Sequence, residues 1–279
     1  MVSRRHSILC PRCRSLISMD ESRCPHCGLR RPGSLWNRFL GRRPGDVDQF
    51  VRTVIYANIA MYVFSLILNP NSISFSLNPF SFLSPSNASL FLLGATGKIP
   101  IEVYHRWWTL VSANYLHAGI LHLLFNLFAF RQVAPLVVQE YSSYRMFSIY
   151  TIGGTAGFLV SYLAGVGFTI GASAAICSLI GAAMYYGKSR GGYYGQAIYK
   201  QLGGWAIAIF VFGLIMPDIN NWAHGGGFLA GIGIAYLLGY DEKKRETGYH
   251  RLLGIACIVL SAAVLVWAVV TSTIIRFMS

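Results

Sequence analysis

Charge is what this sequence has least of. Only 12% of its 279 residues are charged, where soluble domains carry roughly 25%. Acidic residues are the scarcer kind, 10 against 23 basic ones. Hydrophobic residues make up 54% and fall in runs of about 20, the length that crosses a bilayer as a helix. Most of the chain is therefore not expected to face water. No Asp or Glu lies inside the second to sixth of these runs. That absence argues against a carboxylate proton relay, an aspartyl protease dyad or a His/carboxylate metal site in the membrane. An apolar leader is missing as well. The first 50 residues are polar and Arg-rich, so no cleavable secretory signal is expected.

The basic excess gives a formal net charge of +13, but its placement does not suggest nucleic acid. Eleven of the 23 basic residues precede Thr53, and most others sit in short loops or at the ends of apolar runs. Cytoplasmic loops of membrane proteins carry such an excess. The apolar runs cover about 51–68, 117–138, 146–166, 172–187, 202–216, 222–239 and 252–275, which reads as seven spans. With the N-terminus in the cytoplasm, that side also holds Arg131, Arg145, Lys188, Arg190, Lys200, Lys243, Lys244, Arg245 and Arg251. The other side holds Lys98, Arg106 and Arg276. The expected location is a bacterial inner membrane or plasma membrane, with the C-terminus outside. The first outer connection, 69–116, is long and rich in Pro, Ser and aromatics. An interfacial anchor and a substrate-contacting loop are both open readings of it.

Three regions follow: a polar module and linker at 1–45, a six-helix core at 46–240, and a loop with a seventh helix at 241–279. The module carries Cys10-Pro-Arg-Cys13 and Cys24-Pro-His-Cys27. Two such knuckles can converge four thiolates on one zinc ion, a closed shell that is structural and not catalytic. His26 could replace one ligand. A cytoplasmic, reducing location disfavours disulfides. So short a segment would take much of its folding free energy from the metal. Cys177 and Cys257 fall inside apolar runs and read as small buried hydrophobes.

Ionisable groups in a membrane span are costly and mark functional candidates. They are His117, His122 and Asn126 on the second run and His224 at the start of the sixth. Ser173 opens the fourth. The orientation puts all five in the outer half of the bilayer, where a histidine could take the serine's proton. Small residues let helices approach closely in lipid. His224, Gly227 and Gly231 share one helical face, and Ser173, Cys177 and Gly181 another. His122 and Asn126, four residues apart, could supply hydrogen-bond donors to an oxyanion. The backbone N–H of Ser173 in a first helical turn could add another.

Three motifs taken together resemble the rhomboid intramembrane serine proteases: His117-Ala-Gly-Ile-Leu-His122-Leu-Leu-Phe-Asn126, Gly171-Ala-Ser173, and Ala223-His224-Gly-Gly-Gly227-Phe-Leu-Ala-Gly231. The resemblance covers about residues 50–240. It implies an all-α polytopic membrane fold with a six-helix core, here with a seventh C-terminal helix and the four-cysteine zinc-ribbon-like module. It also implies Ser173 as nucleophile, His224 as base, and His122 and Asn126 at the oxyanion. His117, Gly171, Gly227 and Gly231 would be structural near the site. The substrates implied are single-span membrane proteins, cut near the outer membrane face without a catalytic cofactor. Two positions depart from the family pattern. Ala174 stands where glycine often follows the serine, and its bulk could crowd the oxyanion site. Arg106-Trp107-Trp108-Thr109 does not reproduce the first-loop Trp-Arg pair. Two other readings are a catalytically inactive relative that binds transmembrane clients, favoured by Ala174 alone, and a transporter using the histidines, which lacks intramembrane carboxylates and a visible inverted repeat.

Overall fold

The computed structural model describes residues 7–10, 16–26, 28, 30–34, 46–75, 82–216 and 219–278. Two compact units divide it, Met1–Phe50 and Val51–Ser279. In the first, β1 (Ser7–Leu9) pairs antiparallel with β2 (Leu16–Ser18), Ser7 opposite Ser18.

Among the described residues seven long helices dominate: α1 (Asp46–Ile67), α2 (Ile120–Tyr141), α3 (Ser143–Leu163), α4 (Ser173–Arg190), α5 (Gly192–Ile215), α6 (Asn221–Leu238) and α7 (Gly248–Met278). Five of them, α1, α2, α3, α5 and α7, are long and apolar enough to cross a membrane. The remaining two, α4 and α6, are shorter, and Gly and Ala make up a third or more of each.

Each expected apolar run falls on one long helix, with corrected limits. The second helix starts at Ile120 after an extended Gly119, so His117 precedes it and is not on the span. It also runs on through Glu140, whose carboxylate accepts a hydrogen bond from Tyr194 at 3.1 Å. The fifth begins at Gly192, well before residue 202. Its first turns are polar and Tyr-rich, so hydropathy did not flag them. They are held against α4 where Gly195 meets Gly187; a Cβ on Gly195 would lie 2.5 Å from the Gly187 carbonyl oxygen.

Helices α3, α4 and α6 form the centre, each packed against the other two. Lipid offers no hydrophobic drive for helices to associate, so close backbone contact must supply the attraction. Here it does. A Cβ on Gly231 would sit 2.0 Å from the Ser178 carbonyl oxygen, and one on Gly227 2.2 Å from that of Ala174. Gly181 faces the Phe228 carbonyl in the same way, and Gly157 that of Ala223. On α4 the seam runs along Ala174, Ser178 and Gly181, one position round from the expected Ser173–Cys177–Gly181 face. Helix α7 docks on α3, where Gly254 closes against Tyr144.

The end of the bundle at the α6–α7 connection is tied by Arg145, which is fully buried. Its guanidinium donates to the Gly239 carbonyl at 2.9 Å and the Lys244 carbonyl at 2.7 Å. It also pairs with Asp241 at 3.3 Å. One side chain of α3 thus holds the connection from α6 to α7.

The connection from α1 to α2 is ordered where described. It holds the hairpin β3 (Ser74–Phe75) and β4 (Phe82–Ser84), a helix at Asn87–Leu92 capped by Ser86, and a second short helix at Thr109–Ser112. Arg106 sits between the Phe91 and Trp108 rings, 4.7 and 4.6 Å from their centroids. It donates to the Phe91 and Leu92 carbonyls at 2.6 and 2.9 Å. Both carbonyls end the Asn87–Leu92 helix, and that of Phe91 also accepts the Gly94 N–H at 3.1 Å. Arg106 anchors this loop by another route than a Trp-Arg dipeptide. Ile99, Val103, Tyr104 and Trp107 remain exposed on it, an apolar surface suited to the membrane interface.

Candidate active site

Ser173 is the first residue of α4 and is reached through a backbone turn that requires glycine. Gly171 has φ +131°, and its N–H donates to the Ala113 carbonyl at 2.9 Å. A Cβ there would lie 2.9 Å from His122 Nε2 and 3.5 Å from Ser173 Oγ. The long outer connection braces the same turn from above. Thr96 and Thr169 exchange backbone hydrogen bonds of 3.0 and 2.7 Å, and Lys98 N–H donates to the Val166 carbonyl at 2.8 Å. Residues 94–113 are therefore a strap over the segment that leads to Ser173.

His224 lies in the first turn of α6, 6% exposed. Its Nε2 is 2.8 Å from Ser173 Oγ. The two residues were paired from sequence across 51 positions, and the close glycine seam below them explains how two short side chains touch. For Nε2 to accept the serine proton, the neutral ring must carry its own on Nδ1. Nδ1 is buried and has no hydrogen-bond partner among the described residues. Among the described residues no carboxylate orients this imidazole, so the arrangement is a pair and not a triad.

His122 has the complementary tautomer. Its Nδ1 accepts the Ala118 N–H at 3.3 Å, which leaves the ring proton on Nε2, the nitrogen turned to the Gly171–Ser173 turn. A donor thus lies beside Gly171, two residues before the serine. Asn126 is buried one turn further along, and its amide donates to the His122 carbonyl at 2.9 Å. An amide has a second N–H, so this bond orients the group without consuming its donors. His117 is fully buried, with its ring edge-to-face on His122 at 5.2 Å. The methyl of Ala174 is completely buried beside Ile101, Leu110, Ala113, Phe158 and Ala223. A Cβ on Gly157 would come within 3.1 Å of it, so the missing side chain at Gly157 makes room for this methyl on the α3 side.

Residues not singled out from sequence also shape the site. Gly153, Gly154 and Gly157 form a bare face of α3. A Cβ on Gly153 would lie 1.9 Å from Ser178 Oγ and one on Gly154 2.8 Å from the Ala175 Cβ. Their spacing, like that of the α6 glycines, was the available cue. Asn220 caps α6 by accepting the Ala223 N–H at 3.1 Å, and an Asn just ahead of a helical run is a recognisable cap signal.

In the N-terminal unit Cys10 and Cys24 are both buried, packed with Ile17. They come from the two different Cys-x-x-Cys motifs. Gly28, at φ +72°, donates its N–H to the Cys24 carbonyl at 2.9 Å. Cys13 and Cys27 lie outside the described residues.

These features define a class, a polytopic helical membrane protein with a serine–histidine pair at the ends of two closely packed helices. Comparison with known proteins is more specific. The rhomboid domain family matches residues 104–241, a stretch that holds Ser173, His224, His122 and Asn126. RHOMBOID-like protein 1 of Arabidopsis thaliana is 28% identical over 246 residues, covering 78% of this chain and 60% of that protein. RHOMBOID-like protein 5 of the same plant is 33% identical over 187 residues, 59% of this chain and 60% of its own length. Rhomboid protease GluP of Bacillus subtilis is 31% identical over 163 residues, 57% of this chain and 31% of its own length. The chain thus spans less than two thirds of the length of each of these three relatives. Together the matches show a likeness to rhomboid proteins over the part of the chain that holds Ser173 and His224.

Proposed function

We propose that this chain is an intramembrane serine endopeptidase that cuts single-span membrane proteins near the outer membrane face. The observation that carries this reading is the 2.8 Å contact between His224 Nε2 and Ser173 Oγ. A serine hydroxyl becomes a useful nucleophile when a neighbouring base takes its proton. His224 removes that proton as Oγ bonds to the scissile carbonyl carbon. Negative charge then develops on the carbonyl oxygen, where the His122 Nε2–H, aided by Asn126, stabilises it. His224 returns the proton to the departing amine, and water repeats the sequence on the acyl-enzyme. The bacterial GluP is named a protease, and the plant relatives are named rhomboid-like. The burial of the Ala174 methyl against α3 favours the catalytic reading over a client-binding relative.

In this reading all seven long helices cross the bilayer, with α4 shielded inside the bundle and α6 presenting Leu229, Tyr236 and Leu237 outward. The N-terminus is cytoplasmic and the C-terminus outside. The module binds one structural zinc through Cys10, Cys13, Cys24 and Cys27, which supplies a tetrahedral closed site and no catalytic water. Purified protein should hold about one zinc per chain, lost on replacing Cys10 and Cys24 by Ser. A metal-free full-length preparation that still folds would reject the zinc site. For proteolysis, Ser173→Ala and His224→Ala should each abolish cleavage of a reconstituted single-span substrate without changing membrane insertion. Persistent cleavage by Ser173→Ala would reject the assignment.

A further inference from the structure

Beyond the dyad, one amide joins three elements around it. Asn220 Nδ2 donates to Ser161 Oγ on α3 at 2.6 Å and to Thr169 Oγ1 in the α3–α4 connection at 3.0 Å. Its Oδ1 accepts the Ala223 N–H, and its carbonyl accepts the His224 N–H at 3.2 Å. Ser161 is fully buried and Thr169 nearly so. Thr169 is locked to Thr96 and stands two residues before Gly171, whose φ sets the entry to Ser173. The side-chain groups of Asn220 are thus shared among the helix that carries the base, α3 and the segment that leads to the nucleophile.

We propose that Asn220 is the positioning residue of the dyad: it pins the first turn of α6 to the Ser173 approach and so sets the Ser173–His224 distance. The inference rests on the protease reading for its kinetic consequence but not for its structural one. A simple N-cap would need only Oδ1. The two bonds from Nδ2 reach away from α6 and serve registration between segments. Misplacement of reacting groups by about an ångström can cost on the order of a hundredfold in rate.

The test uses the full chain in lipid nanodiscs, with two readouts, substrate kinetics and backbone hydrogen–deuterium exchange. Asn220→Ala should lower kcat about tenfold or more, with KM within about twofold. Exchange should rise together in residues 169–173 and 221–224. Asn220→Asp should recover most of kcat, because the Ser161 and Thr169 hydroxyls can turn and donate to the carboxylate. Unchanged kcat in an active background, or faster exchange confined to 221–224, would overturn the proposal. If the wild type does not cleave while both segments loosen in Asn220→Ala, the protease reading falls and the tether stands. Should Asn220→Ala fail to fold, Ser161→Ala, which removes one acceptor, is expected to give the same pattern in weaker form. No change in either readout for Ser161→Ala would then count against it.

Discussion

Helices α4 and α5 are neighbours joined by Gly191 alone, yet they live in different solvents. Twelve of the 18 residues of α4 are buried, against three of the 24 in α5. Helix α4 is built from Ala, Gly, Ser and Cys and would make a poor span by itself. Helix α5 presents Ile207, Phe210, Val211, Leu214 and Ile215 outward. The difference shows how a polar reaction centre can be kept at membrane depth. The outer helices supply the apolar surface, and that frees α4 and α6 to use small and polar residues. Those residues allow backbone contact, and the contact brings Ser173 and His224 together.

The contrast can be attacked from several sides. The largest effect is expected at the dyad. Ser173→Ala or His224→Ala should reduce turnover by about a thousandfold or more, whereas Leu214→Ala on α5 should leave turnover within about twofold. Fluorogenic cleavage of a transmembrane substrate measures both. Next is Arg145→Met, which removes the donors for two carbonyls at the inner end of the bundle. A loss of about 3 kcal/mol is expected, read from reversible unfolding in detergent. Overpacking the seam comes third. Gly231→Ala and Gly227→Ala should each cost about 1–3 kcal/mol, while Gly233→Ala on the same helix, with nothing within 4 Å, should be neutral or mildly stabilising. Equal effects at Gly231 and Gly233 would mean that the seam does not hold the helices. Smallest is Ala174→Gly. Loss of a methyl packed on the α3 side should destabilise by about 1 kcal/mol and should not raise the rate of Ser173 acylation by a serine-directed probe.

Much of this was legible in the sequence because the membrane narrows the choices. Apolar runs marked all seven helices, and polar residues within them marked the pair. Asn126, His122 and His224 stood out because an apolar run is a clean background. The start of α5 was missed since residues 192–201 are polar enough to read as a loop, and only tertiary contact through Gly195 explains their helix. His117 was placed on a span because hydropathy does not detect the extended Gly119. The role of Ala174 depended on a partner, Gly157, on a different helix. Asn220 escaped attention for the same reason. Its cap function is local and readable, but its bonds to Ser161 and Thr169 join residues 59 and 51 positions away.

Proteolysis through Ser173 and His224 requires an activated hydroxyl at one position. Reaction of the purified, reconstituted chain with a fluorophosphonate, followed by mass mapping of the adduct, tests it most directly. The expected result is one adduct per chain, on Ser173, absent from His224→Ala. No adduct on Ser173, or labelling that survives in His224→Ala at the wild-type rate, would contradict the Ser173–His224 dyad.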